Sequence, residues 1–509
     1  MNFWSGIRAS FSRCFESRNP YEIGAPDTDG RRSYEQGPFI LACTFARMIG
    51  YLIATYVTTL LLAPEEFGRL LLIGVPVALV NLFGDFGLSD GLVRLKEIRR
   101  GTISLFFFIN LGCAVLGGVI LIATIPFFEW WNNGARLDDL AWAFAGMLVM
   151  QAMVMQYRGM LRRQMRLDQI SGFEVAAAYV GNGSMIILAF QGWGALAIPL
   201  GRIAALILEL CLVLYATRWL PGRMESWRRN LHVLQFGGNL ALAGVFRFGG
   251  AAIAAFVLGR HFPPEMLGYL ERATSLTRTV AERFAPLVKR LTFSTLARAR
   301  HLTGDVYAIK SEWALAFSVR IWIWPLAVGS ASLAAIIPIA LGPTWTDLAP
   351  MLLAMGLSLV LWLPEMVGRS VILAHGSSNV IRRNNMLGFI GQVLVIPVAF
   401  VWGLVPYLVM FAIVLIVKSM IFLHQVARIS EIDFKGKQCF LQTVLAVSVA
   451  TMIGWQFTLL GGLIMPIIVG SGVVVLVVAI LLRTRKSMQE IWFSDSSVDA
   501  GPNPEVRQA

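Results

Sequence analysis

The sequence predicts an all-α polytopic membrane protein of about 14 transmembrane helices, built as two parallel six-helix lobes plus two C-terminal helices. Three observations predict it. The chain is 57% hydrophobic and only 14% charged, whereas a soluble domain carries roughly 25% charged residues. Its Lys and Arg residues cluster after alternate apolar runs. One stretch of the first half also recurs 200 residues later.

Residues 1–37 read as a cytoplasmic N-terminal segment. They have no leading apolar core and no small-residue cleavage site, so they are not a signal peptide. Phe3, Trp4, Ile7, Phe11 and Phe15 recur near helical spacing with Arg8, Arg13 and Arg18 among them. That pattern fits either a basic amphipathic helix on the inner leaflet or a loose tail.

A hydrocarbon core of ~30 Å needs about 20 apolar residues per helix. On that measure the N-terminal lobe, 38–217, holds helices near 38–62, 68–91, 102–126, 138–157, 172–191 and 194–216. After a cytoplasmic linker, 218–235, the C-terminal lobe (236–427) holds helices near 236–259, 268–294, 313–340, 347–373, 385–402 and 404–426. Residues 428–482 supply two more, near 440–460 and 462–482, and 483–509 form a cytoplasmic tail.

Orientation follows from the loops. Arg94, Lys96, Arg99 and Arg100 follow helix 2, and Arg158, Arg162, Arg163 and Arg166 follow helix 4. Similar clusters follow helices 6, 8, 10 and 12. The intervening turns, such as Ala63-Pro64-Glu65-Glu66-Phe67 and Gln191-Gly192-Trp193-Gly194, are nearly free of them. Positive charge stays inside, so both termini are cytoplasmic. The same distribution excludes nucleic acid as a partner despite a net charge of +13, because no single polar face gathers the charge.

The repeat aligns Ala46–Leu70 with Phe246–Leu270 without a gap and with nine identities, against about two expected from average residue usage. Arg47 meets Arg247, Gly50 meets Gly250, Pro64-Glu65 meets Pro264-Glu265 and Gly68 meets Gly268. Six helices per repeat return the chain to the same side, which gives two lobes of equal orientation and a cleft between them. That is the architecture of an alternating-access transporter.

Charges at membrane depth face a cavity or a partner. Arg47 and Arg247, at matching places in helices 1 and 7, either present guanidinium groups to a phosphate in the cleft or pair with a neighbouring acid. Helix 8 carries Glu271, Arg272, Arg278, Glu282, Arg283 and Lys289, too much charge to face lipid along its length. Pro364 kinks helix 10, where Glu365 and Arg369 stand four apart. Glu365 is either a protonatable coupling group or half of a structural pair. Asp85 closes helix 2 near a Gly-rich turn.

Catalytic machinery is missing. There is no GxxxxGK[ST] loop, no HExxH and no nucleophile elbow, so the chain is not read as an enzyme and no cofactor is expected. The five histidines are dispersed, and Cys14, Cys43, Cys113, Cys211 and Cys439 form no CxxC pair, so no metal is expected either.

Several short segments resemble the polysaccharide transport family, the Wzx-type flippases within the superfamily that also holds MATE-type multidrug exporters and lipid II flippases. They are Pro64-Glu65-Glu66-Phe67-Gly68, Asp85-Phe86-Gly87-Leu88-Ser89, Arg163 to Glu174, and Gln191-Gly192-Trp193-Gly194-Ala195-Leu196. Phe236-Gly237, Leu267-Gly268-Tyr269 and Gly342-Pro343-Thr344-Trp345 follow in the second half. The sequence departs from the family where Leu270-Glu271 replaces the usual Tyr-Ser, and in the charge of helix 8.

The resemblance implies a flippase that carries an undecaprenyl-diphosphate-linked oligosaccharide, the repeat unit of a polysaccharide, across the bacterial inner membrane. Alternating access, powered by an ion gradient, would move the headgroup while the lipid tail stays in the bilayer. Arg47, Arg247, Arg278 and Arg283 would contact the diphosphate-sugar headgroup. Glu365, Arg369, Asp85 and Glu282 would serve ion coupling or structural pairing. Membrane lipid, a polysaccharide polymerase and export machinery would be its partners. The rival reading is a multidrug or small-molecule exporter of the same fold, whose cavity would favour acidic and aromatic residues over arginine.

Overall fold

The computed structural model describes residues 30–84, 100–164, 166–225, 249–279, 292, 296, 304–375 and 378–430. Among the described residues the fold is all-helical. Eight segments are long and apolar enough to cross a membrane, as a multi-pass membrane protein requires. The expected helices at 440–460 and 462–482, and both terminal segments before 30 and after 430, lie outside the described residues.

The helices are α1 (Gly30–Leu61), α2 (Pro64–Gly84), α3 (Arg100–Trp131), α4 (Asp138–Arg163), α5 (Leu167–Phe190) and α6 (Ala197–Thr217). After them come α7 (249–261) and α8 (264–279). The rest are α9 (Gly304–Leu341), α10 (Leu348–Ser358), α11 (Trp362–His375), α12 (Ser378–Trp402) and α13 (Leu404–Ile429). The described residues group into two compact units, one ending at Glu271 and one starting at Arg272.

Local chemistry sets the helix starts. Pro64 opens α2, where its missing N–H costs no hydrogen bond, and Glu65 and Glu66 meet the positive end of the helix dipole. At α4 the Glu129 carboxylate accepts the amides of Leu137 (2.7 Å) and Asp138 (3.2 Å). Asp138 and Asp139 fill the first turn of that helix, and Arg162 and Arg163 the last. A 3-10 turn, Gly194–Leu196, leads into α6.

In the first unit α3 packs on α4, α4 and α5 on α6, and α1 on α5. Phe107, Tyr157 and Trp219 meet edge to face at its core, with ring centroids 5.5–6.2 Å apart. The segment 249–271 belongs to this unit because α7 packs on the end of α3. Trp131 stacks on Phe256 at 4.7 Å, and Arg260 caps the Trp131 carbonyl at 2.8 Å.

The second unit differs from the expected helix pattern in the earlier starts of α9 (Gly304 against 313) and α12 (Ser378 against 385), and most of all in the run 347–373. The run 347–373 is not one kinked helix, because the chain turns at 359–361 and restarts as α11. Pro364 lies in the first turn of α11, where a ring without an N–H is tolerated. The Leu359 carbonyl at the break accepts both the Trp362 amide at 2.9 Å and the Trp322 indole N–H at 3.0 Å.

Trp130, Trp142, Trp193 and Trp402 are exposed. All four stand at helix ends beside turns poor in Lys and Arg, as in the aromatic belt of a membrane interface.

Candidate functional site

Three polar assemblies stand out against this apolar frame. The first ties α1, α4, α5 and α6 together. Arg47 donates to Glu174. Arg158 lies 3.8 Å from the other oxygen of Glu174 and holds Glu209 through two nitrogens, with Nη2 to Oε2 at 2.6 Å. Two guanidinium groups and two carboxylates therefore balance inside the bundle. Glu209 is fully buried, whereas Arg47 keeps 23% of its side chain exposed.

The second assembly surrounds Glu365 in the second unit. Arg369 donates to its Oε1 from Nη2 at 2.8 Å, and Asn384 Nδ2 does so at 2.9 Å. Lys418 Nζ lies 2.9 Å from Oε2, and the Ser419 hydroxyl donates to the same oxygen at 2.6 Å. Arg369 Nη2 reaches Asn385 Oδ1 at 2.9 Å. The carboxylate is thus saturated by donors from three helices. The Oδ1 of Asn384 is buried without a protein partner.

The third assembly lies where α1 joins α2 and α3 joins α4. Here the two copies of the repeat meet. A Cβ at Gly68 would overlap the carbonyl oxygen of Pro264, and a Cβ at Gly268 would overlap that of Pro64. Matched positions of the repeat therefore make the same contact twice, as a local pseudo-two-fold requires, and glycine is needed at both because backbone meets backbone. A cavity of about 510 Å³ flanks the crossing, lined by Glu65, Glu66, Arg69, Arg136, Asp139 and Glu265. Arg69 grips Asp139 with bonds of 2.7 and 2.8 Å. Glu66 accepts the Ala195 amide at 2.7 Å, which ties the start of α2 to the 3-10 turn before α6.

Among the residues singled out in the sequence, Arg47 stands in the first assembly, and Glu365 and Arg369 in the second. Arg278 is exposed near the described end of α8. Arg247, Arg283, Asp85 and Glu282 lie outside the described residues. Among the described residues no group of three or more His, Cys, Asp and Glu side chains could hold a metal ion. The sequence reading missed the roles of Arg158 and Asn384. Arg158 sits in a basic cluster of the kind that normally ends a helix on the inside, and only the buried Glu209 opposite it distinguishes it.

Residues 57–350 match the family described as polysaccharide biosynthesis protein. Two curated relatives are each 21% identical: the teichuronic acid biosynthesis protein TuaB of Bacillus subtilis (strain 168), over 298 residues, and the lipopolysaccharide biosynthesis protein WzxC of Escherichia coli (strain K12), over 294 residues. Those alignments take in 58% and 57% of this chain, which spans 61% and 59% of the relatives' own lengths.

Among solved structures, the lipid II flippase MurJ in an inward closed conformation superposes with a TM-score of 0.69 at 12% identity, covering 88% of this chain and all of that one. An inward-facing multidrug resistance MATE family transporter of the MOP superfamily gives 0.54 at 16% identity, covering 76% and 98%. At such identities the likeness establishes a shared fold.

Proposed function

The chain belongs to the polysaccharide biosynthesis protein family, and from that premise we propose that it flips a polyprenyl-diphosphate-linked oligosaccharide across the inner membrane by alternating access. Under this reading the chain has fourteen spans and cytoplasmic termini, with six-helix lobes at 38–217 and 236–427. An ion gradient drives the cycle.

The observation that carries the reading is the crossing of Pro64–Gly68 with Pro264–Gly268. It brings equivalent parts of two parallel repeats together at the end of the molecule that bears few Lys and Arg residues. A transporter closed on the outside needs a contact there that can part as a unit. The fold shared with a lipid II flippase supports the same conclusion.

In this mechanism Arg47, Arg247, Arg278 and Arg283 receive the diphosphate. Arg47 exchanges Glu174 for the headgroup. The pair is mostly buried, with 23% and 19% of the two side chains exposed, so the exchange proceeds only as phosphate takes the carboxylate's place. Phosphate returns a bidentate partner to the guanidinium.

The test is made in a deletion strain carrying the parent gene or an empty vector. Surface polysaccharide is quantified together with lipid-linked repeat units that a periplasmic glycosidase cannot reach. The expected result without the gene is loss of polymer with repeat units trapped on the cytoplasmic face. Normal polymer with altered sensitivity to cationic drugs would overturn the proposal in favour of an exporter.

A further inference from the structure

The Glu365 cluster carries one carboxylate and two cations. Among the described residues no second acid pairs with Arg369 or Lys418. A net positive charge inside a membrane bundle is expensive, and it persists where a function requires it. Both cations keep side-chain surface free, 27% for Arg369 and 13% for Lys418.

Both charges converge on the one Glu365 carboxylate from different helices. Lys418 is eleven residues before the end of α13 and Arg369 six before the end of α11, so they lie roughly 17 Å and 9 Å from those helix ends at 1.5 Å per residue. Arg382 stands on the first turns of α12, exposed, one turn before the Asn385 that Arg369 touches. Arg383 is exposed beside it. Two exposed arginines on α12 thus stand near the paired cations, whose anion among the described residues is Glu365.

We infer that Arg369 and Lys418 form a resting site for the phosphate of a lipid headgroup, reached past Arg382. The site rests on the lipid-linked substrate proposed above. It adds to that reading a phosphate subsite in the second unit, apart from the arginines of helices 1, 7 and 8. Glu365 then holds the two cations in place while phosphate supplies the missing negative charge. The Asn384 Oδ1 asks for a donor, which a water or a headgroup hydroxyl provides.

The experiment uses full-length protein in phosphatidylcholine nanodiscs, titrated with undecaprenyl diphosphate, with phosphatidylglycerol and with inorganic pyrophosphate. Binding is read by native mass spectrometry and stability by thermal unfolding. Lys418→Met is expected to weaken lipid-phosphate binding by about tenfold or more with an unchanged melting temperature, because Arg369 still neutralises Glu365. Lys418→Arg is expected to restore binding.

Preference for the diphosphate lipid identifies the occupant as substrate, and equal binding of both lipids identifies it as bulk anionic lipid; either supports the site. Binding that is absent, or equal in parent, Lys418→Met and Arg382→Gln, overturns it. So does a fall in melting temperature with unchanged affinity, which would make both cations structural. Retained binding in a protein that moves no repeat units in cells would sink the flippase reading and leave the site standing.

Discussion

Two arginines of the first unit differ in how deeply their carboxylate partners are buried. Arg158 neutralises Glu209, which is sealed from solvent, so Arg158→Ala leaves a buried carboxylate alone and is expected to cost about 3–5 kcal/mol, read as a fall in the unfolding midpoint. Arg47→Ala leaves Glu174 with Arg158 still 3.8 Å away, so it is expected to lower the unfolding midpoint less than Arg158→Ala does, while reducing polymer export. Equal destabilisation by the two would mean that Arg47 is structural and that its headgroup role is wrong. Glu365→Gln strands two cations at once and is expected to destabilise by about 3 kcal/mol or more, in contrast to Lys418→Met. The Glu365–Arg369 pair was legible in the sequence because four-residue spacing places both on one helix face. Lys418 and Ser419 were not, since the register of α13 against α11 leaves no trace in the spacing of either. Arg47 and Glu174 lie 127 residues apart, and only the packing of α1 on α5 joins them.

At the scale of elements, the helices follow the hydropathy pattern, and the differences have local causes. Proline marks two of the differences. Pro64 begins a helix four residues before the start at 68 that hydropathy gave, because Glu65 and Glu66 are charged yet fit its first turn. Pro364 sits inside an unbroken apolar run, so hydropathy registered a kink where the backbone makes a full turn and restart, supported by the indole of Trp322. The start of α2 and the equivalent start of α8 are the elements with most to lose from small changes. Gly68→Ala or Gly268→Ala puts a methyl group where a proline carbonyl already stands. Overpacking of this kind costs about 1–3 kcal/mol. Charged against the closed outer end, that is roughly a 5- to 150-fold shift toward the open one. The measurement is labelling by a membrane-impermeant maleimide of Leu72→Cys, buried one turn after Gly68, which is expected to speed up in either glycine variant. Unchanged labelling in both would show that the crossing does not close the passage.

For the whole molecule, the repeat was legible as sequence identity, and the proposal of parallel halves rests on an even helix count per repeat. What could not be read was that the two best-matched segments touch each other. Identity between residues 200 apart is equally compatible with lobes that never meet. Their contact gives the alternating-access proposal a testable geometry. If the outer end parts in each cycle, joining its two halves must stop transport without unfolding the protein. Glu65 and Glu265 occupy matching repeat positions and line one cavity, and both are exposed. In a background without the five native cysteines, Glu65→Cys/Glu265→Cys bridged by a short bis-methanethiosulfonate is expected to abolish polymer export, and reduction of the resulting disulfides is expected to restore it. Each single variant under the same reagent should export normally, which separates bridging from mere modification. Full export by the bridged protein would mean that headgroups leave by a route that never opens this crossing. The proposal of two lobes rocking about a central cleft would then have to give way to one in which the outer ends of α2 and α8 move as a single body.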